Sequence, residues 1–324
     1  MITDILKKVS AENLTKEDAI ALLKTKNGSR EFYDLLALAN EMTRTEYDNK
    51  AYIFSQIGLN AQPCPMNCKF CSMAESNYVM DGTFLKTMDD IEDILETVRQ
   101  LVAAGTHDLF LMTTAHYDFE EFLNISTEVK KILPDHVRFV ANIGDFDEDK
   151  AARLKETGFT GVYHIRRLGE GIDTDILPER RIRTLDVIKK TGLELYYCVE
   201  PIGPEHTYEE IADEMLRARD YGVEAMAVMR RTPVPGTPLA DKGRISSIEL
   251  AKIAAVARLV TKPSRSMNAH EVTPLTLSGG VNQLYAELGA NPRDLVQDTA
   301  VNRGYGVLAA RDLLLDAEYE LKGI

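Results

Sequence analysis

The alternation of apolar and polar positions divides the chain into three regions. In the first 50 residues, apolar side chains recur at the spacing of an amphipathic helix, as at Ala19, Leu22 and Leu23. Thr15 and Asp18 precede this run in the arrangement of a capping box, so a helix is predicted to begin there. A second helix is predicted over residues 30–44. We interpret residues 1–50 as a helical extension that packs over one end of a core.

From residue 51 onward, short apolar runs alternate with longer amphipathic segments. The runs predict eight strands, at 52–58, 108–113, 137–143, 161–165, 193–199, 223–229, 265–267 and 280–285. The amphipathic segments predict helices at 87–104, 119–132, 147–157, 178–190, 208–221, 247–260 and 306–315.

This alternation predicts a parallel sheet, because each strand is followed by a helix that returns the chain to the same end. The number of units predicts an α/β fold, a (β/α)8 TIM-type barrel that is complete or nearly so, with helical N- and C-terminal extensions. An open six-stranded sheet is the alternative, since the last two strands carry the weakest pattern. We assign the barrel to residues 51–290 and a C-terminal cap to 291–324, within one functional domain.

Charge and composition exclude some classes of function. The 324 residues carry 38 Lys and Arg against 51 Asp and Glu, a formal net charge of −13. Such a field repels phosphate, so we expect neither nucleic acid nor an anionic membrane as a partner. No apolar run reaches the roughly 18 residues of a membrane span, and the first residues lack a signal pattern. We therefore expect a cytoplasmic protein.

Three of the four cysteines form a C-x3-C-x2-C motif. Cys64, Cys68 and Cys71 lie within eight residues, and Cys198 follows much later. A reducing cytosol disfavours disulfides, and structural zinc usually takes four ligands in two pairs. Iron–sulfur clusters fit thiolates better, and three thiolates leave one iron of a [4Fe–4S] cluster open to a ligand. The non-enzymatic alternative is a zinc or redox binding module.

The motif resembles the signature of the radical S-adenosylmethionine (SAM) superfamily, with Phe70 at its aromatic position. The resemblance implies that Cys64, Cys68 and Cys71 bind a [4Fe–4S] cluster whose open iron binds SAM. It also implies reductive cleavage of SAM to a 5′-deoxyadenosyl radical, hydrogen abstraction from a small molecule, and an electron donor such as flavodoxin or ferredoxin. A homodimer remains open.

Ligands of a parallel barrel bind at the carboxyl ends of the strands, so polar residues there are candidates for the site. Thr113 and Thr114 stand where many radical SAM enzymes carry a Gly-Gly-Glu-like run. Arg166, Arg167 and Glu170 suit the SAM carboxylate or ribose, or else form a surface ion pair. The expected cofactor-binding residues are Phe70, Thr113, Thr114, Asn142, His164, Arg166, Arg167, Glu170, Glu200 and Gly236.

The remaining strand-end residues are expected to bind the substrate. They are His116, Arg230, Arg265, Asn268 and His270. This polar set predicts a small polar or carboxylated substrate rather than a lipid or polymer.

Several segments resemble the group that contains biotin synthase, the [FeFe]-hydrogenase maturase of this fold and methylornithine synthase. Among them are the segments beginning at Cys198 and at Gly236. Cys198 and Glu200 are the candidate catalytic residues. Biotin synthase inserts sulfur with a [2Fe–2S] cluster on three cysteines and one arginine, of which this chain keeps Cys198 and Arg265.

The other two ligand positions of that cluster fall near Met112–Thr113 and on Ala141, and neither has a thiol. Sulfur insertion of the biotin or lipoyl synthase type would therefore need an atypical auxiliary cluster. A maturase or rearrangement activity is the other alternative. Cys198 is a buried apolar residue, a ligand of an auxiliary cluster, or a substrate contact.

Overall fold

A closed barrel of eight parallel strands forms the centre of the molecule in a computed structural model, which describes residues 2–9, 12–286 and 305–321. The strands are β1 Tyr52–Gly58, β2 Asn60–Ala61, β3 Phe84–Leu85, β4 Asp108–Met112, β5 Arg138–Asn142, β6 Gly161–Tyr163, β7 Glu194–Ile202, β8 Ala225–Arg230, β9 Ser266–Ala269 and β10 Gln283–Ala286. Around the barrel the order is β1, β10, β9, β8, β7, β6, β5 and β4, while β2 and β3 form a separate antiparallel pair. The predicted barrel is confirmed, and the open six-stranded sheet is wrong.

Helices surround the barrel and extend from its N-terminal side. They are α1 Ile2–Lys8, α2 Lys16–Leu23, α3 Arg30–Glu46, α4 Ile91–Ala104, α5 Phe119–Ile132, α6 Glu148–Thr157, α7 Pro178–Thr191, α8 Tyr208–Tyr221, α9 Ser247–Thr261, α10 Pro274–Leu277 and α11 Val307–Asp316. The capping box of Thr15 and Asp18 is present at the start of α2. The predicted C-terminal cap falls partly outside the described residues, which include α11 but not residues 287–304.

Seven of the eight barrel strands differ from their predicted bounds by one to three residues, and the differences at β7 and β6 affect the site. β7 continues to Ile202, although Pro201 removes a ladder donor, because the register with β8 shifts between Val199 and Ile202. β6 ends at Tyr163, so His164 lies in the loop that follows the strand. The strand pattern alone could not show either difference.

The N-terminal helices close the end of the barrel where the strands begin. The Thr43 hydroxyl of α3 donates to the carbonyl of Gly280, 2.8 Å away, just before β10. Arg258 of α9 is fully buried, and it donates to Thr43 at 2.9 Å and to Glu46 at 2.5 Å. Tyr47 donates to the carbonyl of Pro263, just before β9. The other end of the barrel, where the strands finish, is left for a site.

The packing of α3 against the chain before β10 requires a glycine at position 280. Gly280 has a φ of +92°, and an added Cβ would lie 2.6 Å from the carbonyl oxygen of Ala39. We expect Gly280→Ala to lower the free energy of unfolding by about 2–4 kcal/mol, through strain and overlap together. Gly222→Ala is the matched control, since its φ is +74° but open space surrounds it. We expect this control to lower the free energy of unfolding by about 1 kcal/mol. If urea unfolding showed equal losses of free energy in the two variants, overlap with Ala39 would not explain the effect at Gly280.

Among the described helices, none combines the length and the apolar character needed to cross a lipid bilayer.

Candidate active site

The three clustered cysteines lie on the loop between β2 and β3, at the carboxyl end of the barrel. Cys64, Cys68 and Cys71 are half-buried, and all three line one central cavity. Backbone hydrogen bonds shape the loop, with the Cys71 amide donating to the Cys68 carbonyl at 2.9 Å. Two amides fix it to the loop after β6, where Lys69 donates to Asp173 at 2.9 Å and Asp175 donates to Met66 at 2.8 Å.

The thiols interact with one another, which suits a shared ligand. Burial raises the pKa of Cys68 to about 12, and the charges of Cys71 and Cys64 raise it further, while Arg167 opposes them. A metal group would therefore displace a proton from this thiol. Within the described residues, no three His, Cys, Asp or Glu side chains gather closely enough to hold a single metal ion. Three thiols around one cavity fit the donor set of an iron–sulfur cluster.

The cavity, about 320 Å³ in volume, extends from the cysteine loop into the barrel. Many of the predicted site residues line it together. They are Cys64, Cys68, Phe70, Cys71, Thr113, Thr114, Asn142, His164, Arg167, Cys198, Glu200, Asn268 and His270. Their meeting at one place follows from the common direction of the parallel strands.

Three predicted arginines do not line the cavity, because each is held by a carboxylate elsewhere. Arg265 lies before β9, at the opposite end of the barrel, where it donates to buried Asp108 at 2.7 Å. It is therefore not brought together with Cys198. Arg230 pairs with buried Glu271.

Arg166, the third of these arginines, donates to Glu214 of α8 at 2.5 Å. His116 is exposed on the turn after β4 and does not line the cavity either. Gly236 packs beside Val79, and its carbonyl accepts a hydrogen bond from Asn77, after the cysteine loop. These expectations from the sequence are not met by the geometry.

We call the part of the cavity beside the cysteine loop its mouth. A chain of buried ion pairs borders the mouth. Arg181 lies 3.2 Å from Asp145 and 3.4 Å from Glu170, which is fully buried. Arg167 lies 3.5 Å from Glu200 and 3.9 Å from Glu170. Burial alone would raise the pKa of Asp145, but a hydrogen bond from His164 and the charge of Arg181 lower it. Glu170 thus positions two arginines without itself lining the cavity.

A buried nitrogen atom at the mouth lacks a well-aligned hydrogen bond. The Nε of Arg181 lies 3.4 Å from Glu170 without making one, and the side chain lines the cavity, whereas the Nε2 of His164 lies 3.4 Å from Asp145. An unmet buried donor is costly, so this end of the cavity favours a ligand with anionic or acceptor groups.

His164 should make folding stability depend on pH. Burial lowers its pKa to about 4, although Asp145 opposes this. Because the unfolded chain binds the proton near pH 6.5, stability falls as the pH drops from about 6.5 to 4, by about 3 kcal/mol in total. We expect His164→Gln to remove that part of the slope in urea unfolding of the apoprotein. The exposed His136→Gln should retain it, and equal slopes for wild type and His164→Gln would contradict the assignment.

Cys198 belongs to a buried hydrogen-bonded group on the wall of the cavity. Tyr163 donates to Glu200, and Cys198 interacts with both side chains. Burial raises the pKa of Cys198 well above its ordinary value, and the charge of Glu200 raises it further. The thiol is therefore neutral, and it faces the same space as the cysteine loop.

Sequence reasoning missed several residues that line the cavity. They are Phe54, Gln56, Phe110, Tyr163, Arg181, Tyr196, Arg231, Gln283 and Tyr285, among others. Period-two alternation could have identified the strand residues, since Phe54 and Gln56 share the inward face of β1. Arg181 lies on α7, where no local pattern distinguishes it from the exposed arginines beside it.

Comparison with known proteins agrees with this geometry. A model of the radical SAM superfamily matches residues 62–245. Biotin synthase of Desulforudis audaxviator is 25% identical over 98% of this chain and 97% of that protein. Biotin synthase of Pelotomaculum thermopropionicum is 28% identical over 88% of this chain and 91% of that protein.

Solved structures share the fold. Methylornithine synthase superposes with a TM-score of 0.83 at 18% identity, covering 98% of this chain and 97% of that one. HydG, a maturase of the [FeFe]-hydrogenase, superposes with a TM-score of 0.80 at 14% identity, covering 98% of this chain and 75% of that one. At these identities the likeness concerns the fold alone.

Proposed function

The chain belongs to the radical SAM superfamily of enzymes and is biotin synthase-like, and from this premise we propose that Cys64, Cys68 and Cys71 hold a [4Fe–4S] cluster that binds SAM. When bound, the reduced cluster supplies the electron that cleaves SAM to a 5′-deoxyadenosyl radical, which abstracts hydrogen from a small substrate. One observation supports this proposal above the others: Cys64, Cys68 and Cys71, all on one loop, line the barrel cavity together.

The residues at the mouth would orient SAM. Arg181 lines the cavity, its Nε makes no hydrogen bond, and a guanidinium suits the methionine carboxylate. Thr113 lines the same region, whereas the Thr114 hydroxyl already accepts from Asn60 at 2.7 Å. Asn142, which donates to Gln56 at 3.2 Å, completes the polar rim. Its amide suits the ribose hydroxyls.

We propose a single cluster rather than an auxiliary one for sulfur insertion. Cys198 is the only thiol of the chain outside the cysteine loop. Arg265, the expected second ligand, is bound to Asp108 at the far end of the barrel. Met112 lines the cavity but offers no thiol, and the neighbouring Ala141 is an apolar core residue. This set does not fit a [2Fe–2S] site, which supports hydrogen abstraction without sulfur insertion.

Anaerobic reconstitution tests the proposal. We expect about four irons and four sulfides per chain, an EPR signal of the reduced cluster that SAM perturbs, and formation of 5′-deoxyadenosine with flavodoxin, ferredoxin or dithionite. A bound zinc ion without SAM cleavage would instead support the metal-binding module. An iron content of about six to eight would support an auxiliary cluster.

A further inference from the structure

A notch in the barrel wall lies below the mouth of the cavity. Ala225 and Ala227 of β8 line the cavity, and we call the space over them the alanine notch. On β7, Tyr196 is in register with Ala225, and Cys198 is in register with Ala227. On β9, Asn268 is in register with Ala227. Two small side chains thus follow each other on the inward face of β8, which leaves room for a ligand group beside the Cys198 thiol.

Two buried oxygen atoms near the notch have no hydrogen-bond partner. Asn268 is 2% exposed, and its Oδ1 is unpartnered, while its amide nitrogen donates to the carbonyl of Gln283 at 2.6 Å. That bond fixes which amide atom is the acceptor. The hydroxyl of Tyr196, also 2% exposed, is unpartnered as well. A buried acceptor without a donor is costly, so the notch favours a ligand that donates hydrogen bonds.

The arginines that line the cavity are all paired with carboxylates, and one of these carboxylates also lines the cavity above the notch. The lining arginines are paired, Arg167 with Glu200 and Arg181 with Asp145, and Arg231 with Glu205. Glu200 follows Cys198 by two residues on the inward face of β7 and also lines the cavity. The notch therefore lies below a carboxylate.

The remaining walls of the notch region are aromatic. Phe54, Phe110, Tyr196 and Tyr285 pack together with Ala225, and His270 stacks on Tyr285 at a ring distance of 4.8 Å. The negative face of an aromatic ring attracts a cation and does not stabilise a carboxylate.

We propose that the alanine notch binds a primary amine of the substrate, as an ammonium group. An ammonium can donate to Asn268 Oδ1, and its positive charge suits the ring faces of the walls and the carboxylate of Glu200 further along β7. An alcohol offers one donor, and a carboxylate would set its lone pairs against Asn268 and Glu200. This inference rests on the proposed function, because it names the substrate class of the same cavity. It narrows the expected small polar or carboxylated substrate to an amine.

Binding of three matched probes to the full chain without SAM tests the inference. Butylammonium, butan-1-ol and butyrate share a chain and differ in the polar group. In a ligand-observed NMR titration, we expect butylammonium to bind at least about tenfold more tightly than butan-1-ol, and butyrate, which suits only the arginine at the mouth, not to displace it. Displacement of butylammonium by butyrate, or no binding of butylammonium, would overturn the inference.

Substitutions in the notch test whether butylammonium binds there. Ala227→Leu fills the notch and should weaken butylammonium binding by at least about tenfold. Ala115→Leu makes the same change at an exposed position on the cavity rim and should keep the wild-type affinity. Thermal unfolding checks that each variant folds, and Asn268→Leu gives a second test with the same expected loss. Unchanged binding in a folded Ala227→Leu or Asn268→Leu variant would contradict the notch.

The two proposals fail separately. If the wild-type chain forms 5′-deoxyadenosine from SAM but does not bind butylammonium, the amine site alone is wrong. If it binds butylammonium through the notch but never cleaves SAM, the proposed function is wrong.

Discussion

Replacing Cys68 by alanine should abolish 5′-deoxyadenosine formation from SAM and remove most of the bound iron. Cys68 is the central ligand of the motif, and hydrogen bonds fix the backbone on either side of it, from Lys69 to Asp173 and from Asp175 to Met66. The loop cannot shift to supply a substitute donor, so two thiolates would remain for a cluster that needs three. Iron analysis and chromatography of the nucleoside product measure the two effects.

Cys198→Ala is the matched control for iron binding, since it removes the remaining thiol of the chain from the same cavity. We expect it to retain about four irons per chain, because the proposed cluster does not use it. Wild-type iron content in Cys68→Ala would contradict the assigned ligands. Loss of about two irons in Cys198→Ala would contradict the single cluster.

The parts of the site that depend on local chemistry could be predicted from the sequence. The cysteine spacing identifies a thiolate site whatever the surrounding fold, and the strand–helix alternation places its loop at the ligand-binding end of a barrel. Cys198, Asn268 and His270 were found in the same way, as polar residues on strands or at their ends, and all of them line the cavity.

The direction of neighbouring side chains could not be predicted from the sequence. Arg230 and Arg231 are adjacent, yet only Arg231 lines the cavity, and the same holds for Arg166 and Arg167. Successive side chains of an extended chain point to opposite sides, so an error of one residue exchanges a site residue for a packing residue. The outcome depends on distant carboxylates, such as Glu214 for Arg166, whose positions only the folded chain defines.

Buried ion pairs explain why an acidic protein can hold arginines at its site. The sequence predicts that Arg265 and Arg230 bind the small polar or carboxylated substrate, but each pairs with a buried carboxylate, Asp108 and Glu271 respectively. A buried guanidinium with a dedicated partner stabilises the fold and has little capacity left for a ligand. Arg181 and Arg231 both line the cavity, and in each the Nε makes no hydrogen bond although the side chain is paired with a carboxylate. Arg181 belongs to the ion-pair chain at the mouth and is therefore the better candidate for binding SAM.

Arg181→Met should accordingly weaken SAM binding by at least about 100-fold, because a charged hydrogen bond to the carboxylate is lost within a buried site. Arg180→Met is the control, since exposed Arg180 pairs with the same Asp145, at 3.1 Å, but does not line the cavity. It should retain SAM affinity within about threefold.

Equilibrium dialysis of SAM against the cluster-loaded protein measures both affinities, and thermal unfolding shows whether each variant remains folded. If Arg181→Met unfolds, Arg181→Lys keeps the charge without the planar fork and should still lose about tenfold in affinity. Equal losses in Arg180→Met and Arg181→Met would show that the effect acts through Asp145, whereas wild-type affinity in Arg181→Met or Arg181→Lys would show that the carboxylate binds elsewhere.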